Sequence, residues 1–116
     1  MVTPNVLVRE SLQCFLAEHG SNWVKRQLLL FWGLHPNAKF NRLAICYAVD
    51  GSRLYTKIAL RDMVEAGLVD THVNNGEILY SLTQNDTRRR PVLELASLGW
   101  DQWQRMIRQL DENCTV

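Results

Sequence analysis

No apolar run in the sequence approaches the roughly 20 residues that a membrane-spanning helix needs. The N-terminal stretch MVTPNVLVRESLQ lacks the basic start and apolar core of a signal peptide. A cytoplasmic protein with no membrane partner is therefore the expectation. Cysteine is scarce: Cys14, Cys46 and Cys114 are far apart, odd in number and form no C-x-x-C pair. That argues against a disulfide framework and against a structural metal site. Two packed thiols and one exposed thiol near the tail are expected, and a thiol sensor is a reading left open. Catalytic signatures are missing too. There is no Gly-rich phosphate loop, H-E-x-x-H, G-x-S-x-G or paired acids, and Glu10, Glu18, Glu65 and Glu94 are scattered at helix-surface spacing. No enzyme and no cofactor is expected. Repeats, low-complexity tracts and long linkers are also lacking, so the 116 residues suit a single domain with one core.

An excess of one charge is absent as well. Thirteen basic residues face twelve acidic ones, for a net charge of +1. A global field able to draw in nucleic acid is excluded, and any such function must rest on a local patch. The distribution points to the middle of the chain. Residues 36–90 carry eight basic and six acidic side chains, whereas residues 91–116 carry two and four.

Apolar periodicity is plentiful. Thr3 can cap a first helix with Pro4 at its first position, and Val8, Leu12, Phe15 and Leu16 form one stripe before Gly20. Ser21 can cap a second helix that is apolar on most sides through Trp23, Val24, Leu28, Phe31 and Trp32. It is the expected central helix. A short third helix uses Phe40, Leu43, Ala44 and Tyr47, and Asp50-Gly51 then forces a turn. A fourth, capped by Ser52 or Asp50, turns Leu54, Ile58, Met63 and Val64, with Ala59 and Leu60 beside them, to the core and ends at Gly67.

Asn75-Gly76 predicts a two-residue hairpin turn. Counting outward pairs Asn74 with Glu77, Val73 with Ile78, Thr71 with Tyr80 and Val69 with Leu82, which places one apolar face against the core. The last segment repeats apolar residues from Val92 to Leu110 and reads as one long helix. Gly99 inside it costs about 1 kcal/mol, so two helices meeting near Leu98-Gly99 are the alternative.

The stretches LAICYAVDGSRLYTKIALRDMVEAGLV and NNGEILYSLT together resemble the winged helix-turn-helix domains of bacterial and archaeal transcriptional regulators. The resemblance covers residues 22–83, with residues 1–21 as an N-terminal helix and 84–116 as a C-terminal, dimerising helix. The Cys-x-Cys metal motif of the arsenical-repressor branch is absent, and no branch is assigned. The resemblance implies a mainly α fold with one β-hairpin, in which Ser52 to Ala66 enters the major groove of double-stranded DNA. Arg53, Tyr55, Thr56, Lys57 and Arg61 are then the contacts on that helix. Lys39 and Arg42 can touch the backbone, Asn74 and Asn75 can do so from the wing, and Arg88-Arg89-Arg90 can bind phosphate beside it. Glu77 at the wing tip opposes this role.

Such regulators are commonly two-fold symmetric. Trp100, Trp103, Ile107 and Leu110 are the expected homodimer seam, with packing against the chain's own first helix as the bland alternative. The expected function is a homodimeric, sequence-specific DNA-binding regulator of transcription. A protein-interaction adaptor on the same fold is the competing reading, because fold alone does not fix function.

Overall fold

The computed structural model describes the backbone of residues 4–114 and the side chains of residues 11–99 and 101–109. The cap expected from Thr3, the stripe position Val8 and the side chains of Trp100, Leu110 and Cys114 lie outside these described residues. Among them, six helices and three strands follow in order: α1 (Pro4–His19), α2 (Trp23–Leu34), β1 (Phe40–Asn41), α3 (Arg42–Ala48), α4 (Arg53–Glu65), β2 (Val69–Asn74), β3 (Glu77–Leu82), α5 (Asp86–Ser97) and α6 (Trp100–Cys114). The molecule is mainly helical with one small antiparallel sheet, of strand order β1-β3-β2.

Helix α2 is the hub. It buries Leu28, Leu29 and Trp32 and packs against α1, α4, α5 and β3. Its cap is Asn22 rather than Ser21, because the Asn22 side chain accepts from the Lys25 N–H at 2.9 Å. At Gly33 the helix meets α5 with no side chain between. A Cβ there would collide with the Ala96 Cβ and lie 2.8 Å from the Val92 carbonyl oxygen.

The third segment divides in a way the periodicity did not anticipate. Phe40 and Asn41 form a two-residue strand opposite Tyr80 and Leu79. Phe40 is drawn out of the helix by aromatic neighbours, with its ring 4.8 Å from that of Phe31. Asn41 caps α3, its side-chain oxygen accepting from the Ala44 N–H at 2.8 Å. Ile45 and Val49 are buried, whereas Leu43 and Tyr47 are exposed.

Ser52 caps α4 as expected, accepting from the Tyr55 N–H at 3.1 Å. Ala59, Leu60 and Met63 face the core as expected, but Thr56 replaces Leu54 and Ile58 on that face. The buried line is Thr56, Ala59, Leu60 and Met63, while Leu54 is 63% and Ile58 36% exposed. Thr56 tolerates burial because its hydroxyl donates to the Ser52 carbonyl oxygen at 2.9 Å. That bond satisfies its polar group locally.

The hairpin register is the one the Asn-Gly turn predicts, from Val69 opposite Leu82 to Asn74 opposite Glu77. Asn75 and Gly76 have φ of 52° and 82°. They are the pair of left-handed residues that such a tight turn requires. Only the base of the apolar face reaches the core. Val69 and Leu82 are buried, Tyr80 is half-buried, and Val73 and Ile78 are exposed.

The C-terminal segment is two helices, separated by Leu98 and Gly99, in place of one. Trp103 and Met106 on α6 are buried in the core of their own chain. Helix α6 packs against α1, where Gln13 Nε2 donates to Gln109 Oε1. Among the described residues no helix is long and apolar enough to cross a membrane.

Candidate nucleic-acid interface

The exposed side of α4 faces a trough whose other walls are α3 and the hairpin. Towards the hairpin tip it encloses about 610 Å³, lined by Arg42, Leu43 and Cys46 on one wall, Arg53, Leu54 and Lys57 on α4, and Glu77, Ile78 and Tyr80 opposite. Along the rest of α4 it continues for about 490 Å³ past Ile58, Arg61 and Val64, with Thr71 and Tyr80 opposite. Arg42, Leu54, Lys57 and Tyr80 line both parts, so the two form one continuous surface.

Helical geometry sorts the α4 side chains. At about 100° per residue, positions 54, 58, 61 and 65 fall on a line opposite the buried Thr56–Met63 face. Arg53 and Lys57 flank this line on the α3 side of the trough. Arg53, Lys57 and Arg61 recur at steps of four residues, so three cations run along the helix. No acidic residue occupies the first turn of α4, and Arg53 begins it. Its positive dipole end therefore adds to the cationic surface.

What these charges already hold decides their availability. Among the described residues, Arg42, Arg53 and Lys57 make no ion pair or side-chain hydrogen bond. Arg61 lies 4.0 Å from Asp62, a loose approach, and Asp62 is held more closely by Lys25 at 3.2 Å. Acids bound the surface at two ends. Glu65 closes the outer line of α4. Glu77 is anchored by the Asn41 amide, which donates to its carboxylate at 2.7 Å.

Several expected contacts belong elsewhere. Thr56 is removed from the reading surface, since it is buried and its hydroxyl is committed to Ser52. Tyr55 is exposed but lies on the other flank of α4, beside Trp23. Lys39, Asn74 and Asn75 are exposed and do not line the trough. Arg89 is corrected to a structural clamp. Its guanidinium donates to the Pro36 carbonyl at 3.0 Å, the Thr83 carbonyl at 3.2 Å and the Asn37 side-chain oxygen at 2.8 Å. Arg90 pairs with Asp86 at 2.6 Å, and Arg88 lies over Gly67. Trp103 is likewise corrected. Its ring is buried in the chain's own core. Ile107 is partly buried against the same core.

Leu43, Leu54, Ile58 and Ile78 were missed as surface residues because apolar side chains at helical and strand spacing read as core. The signal that finds the right face of α4 is the competing line Thr56-Ala59-Leu60-Met63, which has the same spacing once Thr56 is allowed to bond its own backbone. Cys46 borders the trough and Cys14 is exposed. No group of three or more metal-ligating side chains occurs among the described residues.

The chain matches no protein-family model, no curated protein and no solved structure.

Proposed function

We propose that the chain is a cytoplasmic, sequence-specific double-stranded DNA-binding regulator of transcription, built as a winged helix-turn-helix and working as a homodimer. Helix α4 is the reading helix and the β2–β3 hairpin the wing. One observation carries this reading. Arg53, Lys57 and Arg61 run at four-residue steps along the exposed side of α4, with Arg42 across the trough, and among the described residues only Arg61 of these four comes within 4.0 Å of a carboxylate. A major groove about 12 Å wide admits such a helix and offers phosphates on both rims. The wing contributes shape more than charge, because its tip carries Glu77 and no cation. A dimer seam on α6 has to use residues other than Trp103. A monomer in solution with and without DNA would remove the dimer and leave the reader.

The test is binding to a pool of random duplexes, followed by anisotropy on the enriched sequences at rising salt. Four cations that meet phosphate give a slope of about −3 to −4 in log affinity against log salt, from counterion release. Alanine at Arg53, Lys57 and Arg61 together is expected to weaken binding at least about hundredfold. Unchanged binding by this triple variant overturns α4 as the reader.

The competing reading is a winged-helix protein-interaction adaptor. The observation in its favour is the apolar centre of the trough, Leu43, Leu54, Ile58 and Ile78, ringed by charged groups. An apolar core with a polar rim is the usual anatomy of a protein interface. It predicts a stable protein partner and no salt-sensitive binding to duplex DNA.

A further inference from the structure

Cations alone leave the outer line of α4 unexplained. Leu54 and Ile58 occupy its first two positions, with Arg53 and Lys57 on the α3 side and Arg61 next along the line, and both border the trough while staying exposed. Two aliphatic side chains at the most projecting part of a charged helix call for an apolar group on whatever docks there. A phosphate offers none. Among base edges in the major groove, thymine alone presents a methyl group, and aliphatic contact is how that group is read.

We infer that Leu54 and Ile58 read the C5-methyl groups of thymines, so that α4 specifies thymine at two nearby positions while the surrounding cations hold phosphate or guanine. The inference rests on the proposed DNA reading of α4. The spacing is compatible with it. Four helical residues rise about 6 Å, and base pairs stack about 3.4 Å apart. The two side chains therefore reach methyls one or two base pairs apart. The charge beside them suits one strand's backbone, since Arg42 and Lys57 line both parts of the trough on their α3 side. The surface does not need to be rebuilt for this contact: the apolar line already faces outward.

The experiment uses duplexes enriched from a random pool, with each thymine in the bound site replaced in turn by uracil. That change deletes the methyl and nothing else. Two positions are expected at which the wild-type protein loses about fourfold in affinity, the equivalent of one buried CH₂-sized group. In Leu54→Ala or Ile58→Ala, uracil at the corresponding position is expected to cost nothing further. Both side chains are exposed, so neither variant removes part of the core. If the wild type binds uracil duplexes as tightly as thymine duplexes while its binding stays salt-dependent, the inference fails and the DNA reading survives. Enriched sites without a recurrent thymine overturn it equally. If no duplex is retained at low salt, both readings fall, and Leu54 and Ile58 belong to a protein contact.

Discussion

Two basic regions of the molecule differ in what their charges already hold. At the start of α5, three arginines stand in succession, yet Arg89 is tied to Pro36, Asn37 and Thr83, Arg90 to Asp86, and Arg88 is laid over Gly67. Along α4 the cations are spread four residues apart. Arg53 and Lys57, with Arg42 opposite, make no ion pair among the described residues. Density of charge in a sequence is therefore a poor guide to charge available for a partner. The dense run fastens the α2–β1 connection to the end of the hairpin, and the sparse row stays exposed along the trough.

That contrast can be broken by substitution. The largest effect on DNA affinity is expected from the α4 triple alanine variant, with little change in melting temperature because its side chains make no internal contact beyond the loose Arg61–Asp62 approach. Arg89→Ala should do the reverse. Losing three charge-assisted bonds at a half-buried site is expected to cost about 2 kcal/mol of stability, read as a shifted denaturation midpoint, while the folded fraction binds DNA as before. If Arg89→Ala weakens binding without destabilising the fold, the clamp assignment is wrong. Arg90→Ala removes one exposed pair four residues apart on a helix and is expected to cost under about 0.5 kcal/mol.

The smallest effect concerns His19. Burial pushes its pKa down, and Lys25 and Arg88 push in the same direction against Glu18. The folded chain therefore favours the neutral ring. The associated stability is present above the ordinary histidine value of about 6.5 and is lost as the pH falls through the lower folded value. Arg88→Ala should raise the His19 pKa slightly in an NMR titration. No movement would mean that the Arg88 charge does not reach into the fold.

The parts of the fold that were legible in the sequence are those set by local chemistry. An Asn-Gly turn leaves one register for the hairpin, and Ser52 caps its helix through its own side chain. Apolar saturation also identified α2 as the hub. What was illegible depends on distant neighbours. Strand β1 has two residues, and it exists because Tyr80 and Leu79 lie opposite; nothing in Phe40-Asn41 alone announces it. The core face of α4 turned on whether Thr56 or Leu54 pointed inward, and polarity suggested the wrong one. A hydroxyl that bonds its own backbone can be buried at little cost, and a leucine can stay outside when no element closes over it. In the candidate site, the sequence singles out Arg42, Arg53, Lys57 and Arg61, and all four are exposed and line the trough. The apolar line between them was not, and the commitment of Arg89 could not be seen without its carbonyl partners.

The absence of a side chain at Gly33 has a mechanical side. Because α2 and α5 meet nearly backbone to backbone, no rotamer is available between them to take up movement. Any side chain introduced at position 33 would have to push α5 away from α2, the helix against which α4 also rests.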